Sequence, residues 1–283
     1  MKRLIVTADD FGLMPEINAG IRDAHEQGIV TCASFMANGP ACEEAVALAR
    51  QMPRLEVGLH LGIVEGLALS GKASTITDDE FYFPVSAPCL HRNWQRFIPL
   101  YLGGMIDRKE LAAEWELQFQ RFLGWFPRIP FVNGTQHLHL LPGLQAIVLQ
   151  LCRKYGVHAL RLPMRVSEPL GSHPMRLLPS AVLIACGKTM HRRSLDLRST
   201  NNFLGFPVSG RVTEPYLLAR IAQLRTGATE LMTHPGFECA PLRARLPGYT
   251  VFDWDGERRA LMSQTVRAAL AQQNVVLTRF SEL

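Results

Sequence analysis

The sequence predicts an α/β fold: one domain over residues 1–283, built as a distorted (β/α) barrel of about seven parallel strands. Three observations predict it. Short apolar runs alternate with segments of helical spacing along most of the chain. Polar and acidic residues gather directly after those runs, where a parallel barrel places its chemistry. A length of 283 residues with 47% apolar and 19% charged composition suits one large core, a size that single-domain barrels commonly reach.

The first apolar run, Leu4 to Ala8, ends in Asp9-Asp10-Phe11-Gly12, and Ile17 to Gln27 follows with helical spacing and a glycine stop at Gly28. Thr31 to Met36 reads as a strand, Glu43 to Gln51 as a helix, and Glu56 to Leu61 as a strand that carries Gly58-Leu59-His60-Leu61. Between about residues 63 and 107 the periodicity weakens and Gly, Pro, Ser and Thr accumulate, so an irregular excursion is expected there. Alternation resumes with a helix from Glu110 to Phe126, a strand from Phe131 to Leu140, a helix from Leu144 to Tyr155 and a strand from His158 to Leu162. A second irregular excursion spans 163–210, with a proline-broken apolar section and a polar turn at Ser199-Thr200-Asn201-Asn202. Pro215 to Leu224 is then helical, Thr229 to Met232 a strand, Gln264 to Gln273 a helix and Val275 to Thr278 a last strand. No repeat recurs at a fixed spacing.

Composition narrows the class. The net charge of +5 comes from 30 basic against 25 acidic residues, concentrated in Met190-His191-Arg192-Arg193 and Arg243-Ala244-Arg245. Such clusters suit an anionic partner or a membrane surface, or are a solvated basic face. Aromatic and basic residues do not interleave, so no nucleic-acid partner is expected. Six cysteines, at 32, 42, 89, 152, 186 and 239, form no CxxC pair and read as buried thiols in a reducing compartment. Met1-Lys2-Arg3 runs straight into a strand, unlike an export signal, and the apolar run Leu177 to Cys186 is broken by Pro179 and too short to span a bilayer. A cytoplasmic protein is the expectation.

Four places carry chemistry, each following a predicted strand. Asp9 and Asp10 repel one another as adjacent carboxylates, and keeping both ionised is easier with a cation between them or with one acting as a base. Alone, the pair reads equally as a turn or helix cap. His60 lies within an apolar strand, where a lone histidine is more often a hydrogen-bonded core residue than a ligand. Gly134-Thr135-Gln136-His137-Leu138-His139 shifts that balance. Two histidines two apart on an extended segment face one side, and imidazole is the commonest neutral ligand of divalent metals. His234, fixed by the Pro235-Gly236 turn, is placed to act as a general acid or simply to cap its strand.

Taken together, Thr7-Ala8-Asp9-Asp10-Phe11-Gly12, Gly58-Leu59-His60, Gln136-His137-Leu138-His139 and His234-Pro235-Gly236 resemble the YdjC-like carbohydrate deacetylases, over nearly the whole chain. The wording is most similar to the hopanoid-biosynthesis branch of that family. The resemblance implies a glycoside hydrolase/deacetylase-like barrel and a metal-dependent hydrolase that removes an N-acetyl group from an N-acetylglucosaminyl substrate. That substrate is lipid-linked, of the N-acetylglucosaminyl bacteriohopanetetrol kind, or else a chitooligosaccharide. It implies one divalent ion, Mg2+ or Zn2+, held by Asp10, His60 and the position of Thr135. Asp9 is the implied base and His234 the implied acid, with His137, His139 and Arg161 as substrate-binding or supporting residues. Arg161 reads alternatively as a surface ion pair.

One position departs from the pattern: the family reads His-x-His-x-His where this chain has Thr135, His137 and His139. A hydroxyl is a poor ligand beside imidazole, so either the site keeps water in the gap or the chain is a sugar-binding variant with impaired turnover. The expected partner is an acetylated amino sugar, with a glycolipid and a peripheral membrane contact favoured by the apolar 176–206 region and the basic residues beside it.

Overall fold

The structure is a computed structural model that describes residues 1–71, 74–78, 87–165, 177–246 and 249–283, with the side chains of Leu177 and Arg245 left aside. Its elements in chain order are β1 (Lys2–Phe11), α1 (Pro15–Glu26), β2 (Cys32–Phe35), α2 (Cys42–Gln51), β3 (Glu56–Leu61) and a hairpin of β4 (Thr77–Asp78) and β5 (Cys89–Leu90). Then come α3 (Trp94–Leu102), α4 (Arg108–Trp125), β6 (Phe131–Gly134), a 3₁₀ segment (Thr135–Leu140), α5 (Leu144–Lys154), β7 (Ala159–Leu160) and α6 (Leu177–His191). The chain closes with β8 (Asn202–Leu204), α7 (Glu214–Ala222), β9 (Gly227–Thr233), α8 (Ala240–Arg245), α9 (Trp254–Leu261), α10 (Gln264–Gln272) and β10 (Val275–Leu277).

Seven strands run in the order β7-β6-β3-β2-β1-β9-β8, with β10 added to the start of β1, and every pairing in this sheet is parallel. The sheet curls so that its edges approach: Leu160 N–H donates to Arg198 O (2.9 Å) and Phe203 N–H to Arg165 O (2.9 Å), bridging β7 to the β8 side. The expected distorted barrel is what forms.

Side-chain alternation sorts the strands into an outer and an inner face. On β1, Leu4, Val6 and Ala8 face the helices, while Ile5 faces inward with Cys32, Phe131, Ala159 and Phe280 as an apolar plug at the lower end. Phe131 reaches that plug because Gly58 has no side chain: a Cβ there would lie 2.5 Å from the Phe131 ring. Above the plug the inward positions turn polar, with Thr7, Asp9, Ser34, His60, Asn133, Arg161 and Glu230 all buried. The fold therefore delivers a wet-capable layer on a dry floor, at the strand C-termini.

Several expectations need correction. The expected strand Phe131 to Leu140 ends at Gly134, because Gln136 (φ 50°) and His137 (φ 58°) adopt the left-handed region and turn the chain into the 3₁₀ segment. The two excursions are more ordered than expected. The first, over 63–107, holds the β4/β5 hairpin and α3; the second, over 163–210, holds α6 and β8. Residues 72–73, 79–86 and 166–176 of these excursions lie outside the described residues. Asn202 is in β8 rather than in a turn, and Pro179 sits in the first turn of α6, where a missing N–H does no harm. Of the six thiols, Cys186 and Cys239 are only half-buried.

Candidate active site

A regular strand sends consecutive side chains to opposite faces, so Asp9 and Asp10 should not meet. They do, because Asp10 takes a left-handed backbone (φ 68°) and the β1/β2 register shifts between Ala8 and Phe11. Such a bulge re-aims a side chain at a local cost of about 1–3 kcal/mol, and Asp tolerates it better than most residues. The turn is held by Leu13 N–H on Asp10 O (3.0 Å) and Gly12 N–H on Asn18 Oδ1 (2.7 Å).

Asp9 is gripped from below. Arg161 donates to both its oxygens, Nη1 to Oδ2 at 2.5 Å and Nη2 to Oδ1 at 2.9 Å, and Ser34 Oγ adds a bond to Oδ1 at 2.8 Å. Arg161 is 0% exposed and also donates through Nε to Glu230 Oε1 (2.8 Å), which accepts from Thr7 Oγ1 as well (2.9 Å). The alternative of a surface ion pair is thereby overturned: Arg161 is a buried cation shared by two carboxylates. Burial alone would raise the Asp9 pKa, but the Arg161 charge and His60 outweigh it and hold the carboxyl well below the usual range. Burial pushes Glu230 upward despite the same arginine.

His60 is gripped from both sides. Asp10 Oδ1 lies 3.3 Å from Nε2, and Nδ1 lies 2.6 Å from the Asn133 side-chain amide. Burial lowers the imidazole pKa, yet the Asp10 bond and the Asp9 charge more than compensate and raise it. Glu65, buried after β3 and itself left-handed (φ 66°), accepts from Gln136 Nε2 (2.8 Å) and Tyr249 OH (2.6 Å). Burial and the nearby Asp10 push its carboxyl up to about 8. The Tyr249 contact crosses the mouth from the segment that follows α8.

The 3₁₀ segment supplies the next wall. His137 packs on Phe203 (5.6 Å) and Phe206 (5.4 Å), and His139 Nε2 faces Arg161 O at 3.4 Å. Burial keeps both imidazoles neutral, His139 down to about 3 and His137 well below its ordinary value. His234 stands at the end of β9, its ring edge-on to Phe252 (5.0 Å) and its Nδ1 buried without a partner among the described residues. Its backbone N–H donates to Glu257 Oε2 (2.5 Å), and Glu257 also accepts from Val212 N–H (2.9 Å). The Pro235-Gly236 turn docks on α1, where a Cβ on Gly20 would lie 2.3 Å from Gly236 Cα. His234 is close enough for its charge to lower the Asp9 pKa.

Asp9, Asp10, His60, Arg161 and His234 thus meet at one mouth, with His137 and His139 on its wall. Thr135 lies beside them but turns away: its hydroxyl lies 3.4 Å from Leu61 O and 3.3 Å from Val64 O. Two ligands of one divalent ion at about 2.1 Å and about 100° stand roughly 3.2 Å apart. The Asp10 and His60 atoms, 3.3 Å apart, fit that spacing. No third donor joins them: among the described residues no group of three His, Cys, Asp or Glu side chains is arranged to hold a metal. Sequence reasoning missed Ser34, Asn133, Glu230, Glu65, Tyr249 and Glu257. The first three were detectable as polar residues at inward strand positions, on the parity of Asp9 and His60.

The chain is similar to known proteins over nearly its whole length. The family described as YdjC-like protein matches residues 3–272. The carbohydrate deacetylase of Homo sapiens is 31% identical over 99% of this chain and 91% of its own length. The chitooligosaccharide deacetylase of Enterobacter sp. (strain 638) is 28% identical over 100% of this chain and 99% of its own. Among solved structures, a putative cellobiose-phosphate cleavage protein of Enterococcus faecalis V583 shares the fold, with a TM-score of 0.76 at 21% identity over 99% of this chain and 98% of that one.

Proposed function

We propose, since this chain belongs to the YdjC-like protein family, that it is a carbohydrate deacetylase that hydrolyses the N-acetyl group of an amino sugar. The single observation that carries this reading is the left-handed Asp10, which brings a second carboxylate onto His60 beside the buried Asp9–Arg161 pair. In the reaction, water adds to the acetyl carbonyl, Asp9 takes the water proton, the C–N bond breaks and His234 gives a proton to the departing amine, leaving acetate. Arg161 keeps Asp9 ionised, and Glu257 fixes the backbone from which His234 projects.

A carboxylate held so far below its ordinary range is a weak base and accepts a proton only from acidified water. A divalent ion, Mg2+ or Zn2+, held by Asp10 and His60 would supply that acidification and polarise the carbonyl. The remaining positions of such an ion would be left to water and substrate, because Thr135 spends its hydroxyl on backbone carbonyls.

The proposed substrate is an N-acetylglucosaminyl lipid of the hopanoid type. The apolar segment over 177–206 does not pack fully into the core: Leu183, Met190 and Leu204 are buried, but Leu178 is 74% and Val182 51% exposed, and that supports a lipid aglycone over a chitooligosaccharide. Thr135 favours a second reading, a sugar-binding homologue with impaired turnover. Mass spectrometry of an acetylated glycolipid and of diacetylchitobiose, each incubated with protein and Mg2+ or Zn2+, separates them. Loss of one acetyl from the glycolipid is expected. Binding with every acetyl retained establishes the second reading.

A further inference from the structure

Helix α6 has two unlike sides. Through Ile184 its inner side packs on Phe203 and Met232, a cluster that Phe206 also joins; Phe203 and Phe206 hold the His137 ring, so the helix backs the wall of the mouth. Its outer side reads Leu178, Ala181, Val182 and Ala185, then Lys188 and Thr189, with Arg192 just past its end, all exposed. Steps of three and four residues place them on one stripe, apolar in its first two turns and cationic in its last. The helix contains no acidic residue, and among the described residues neither Lys188 nor Arg192 has a carboxylate partner.

Two further exposed apolar side chains stand beside the mouth. Trp94, 47% exposed, begins α3, and its backbone N–H donates to Gln136 Oε1 (2.9 Å) on the opposite flank of the 3₁₀ segment. Val251, also 47% exposed, sits between Tyr249, bonded to Glu65, and Phe252, packed on His234. Trp94 and Val251 thus flank the mouth whose wall α6 backs. Apolar groups that dip shallowly while cations remain at phosphate level, with a tryptophan at the boundary, match a bilayer surface.

We propose that this rim docks on an anionic phospholipid surface, with α6 lying in the headgroup plane and the mouth opening onto it. The proposal rests on the reading of the mouth as the sugar site and names the surface from which its substrate is drawn. The cations set the sign of the partner, since each lysine or arginine near an anionic bilayer contributes about five-fold to partitioning.

Sedimentation of the whole protein with phosphatidylcholine vesicles, alone and with added phosphatidylglycerol, tests it. The protein is expected to pellet with the anionic vesicles and to be released by high salt. Lys188→Gln with Arg192→Gln should weaken association roughly 25-fold, two cations at about five-fold each. Leu178→Glu with Val182→Glu should abolish it while leaving the unfolding temperature and any turnover of a small soluble substrate unchanged. Absence of association, association that neither pair of changes alters, or a dimer that the Leu178/Val182 changes dissociate would each overturn the proposal. Vesicle binding with no acetyl release from any sugar overturns the deacetylase reading and leaves docking intact; acetyl release without vesicle binding does the reverse.

Discussion

Replacing Arg161 by Met removes a cation that is 0% exposed and bonded to Asp9 at 2.5 and 2.9 Å and to Glu230 at 2.8 Å. Methionine fills much of the volume, so the loss is chiefly electrostatic: two buried carboxylates are left without their counter-charge. Breaking a buried pair in this way costs about 3–5 kcal/mol, a large part of the roughly 5–15 kcal/mol that stabilises an ordinary domain. In a chain of this length the unfolding temperature should fall by roughly 5–15 °C. The pH dependence separates this account from general damage. In the native protein the Asp9 pKa lies below its unfolded value, so its stabilisation is present above the ordinary carboxylate range and is lost as pH falls. In the variant an unpaired, buried Asp9 has a pKa above the unfolded value, so its penalty is greatest at neutral pH and shrinks as acid protonates it. Urea unfolding near pH 7 and near pH 4.5 should therefore show the gap between the two proteins narrowing in acid. Arg161→Lys should fall between them, keeping the charge without the fork. A gap equal at both pH values, or one under about 1 kcal/mol as for an exposed pair, would show that Arg161 does not offset a buried Asp9 charge.

Other perturbations separate strain from chemistry. Asp10→Gly and Asp10→Ala both delete the carboxylate, but only glycine accepts φ 68° freely, so the Gly variant should be more stable than the Ala variant by about 1 kcal/mol in urea unfolding; equal stabilities would mean the backbone is not strained there. His139 has its pKa depressed to about 3 by burial, so the stability it contributes is complete above its unfolded value of 6.5 and is lost as pH falls from there toward 3. His139→Gln should flatten the stability curve across that window, and an unchanged curve would assign the acid sensitivity elsewhere. Thr135→His offers a third ligand beside Asp10 and His60, and calorimetric titration should show divalent-ion affinity rising by about ten-fold or more. No gain in affinity would count against the ligand position assigned to residue 135.

Much of this fold and site is legible in the sequence. Alternation of apolar and helical segments implied the parallel barrel, and polar residues ending those segments marked Asp9, Asp10, His60 and His234. Arg161 was picked out by family resemblance, but its burial between Asp9 and Glu230 was not visible, since partners 152 and 69 residues away leave no local pattern. Neither Gln136 nor His137 is a glycine or asparagine that would mark a left-handed turn, so the expected strand Phe131 to Leu140 runs past its end at Gly134. β8 was missed because three residues, Asn202–Leu204, are too few to show a period. α6 was masked by Pro179, which looks like a break yet serves as a first-turn residue. Glu65 and Tyr249, 184 residues apart, meet only because two loops cross one mouth.

A crystal of the protein grown with Mn2+ and measured at the manganese absorption edge tests the gathering of these residues most directly. An anomalous peak is expected about 2.0–2.3 Å from both the Asp10 carboxylate and His60 Nε2, with the Thr135 hydroxyl still on the carbonyls of Leu61 and Val64. An Asp10 side chain directed away from His60, or an ion bound without either of them, would contradict it.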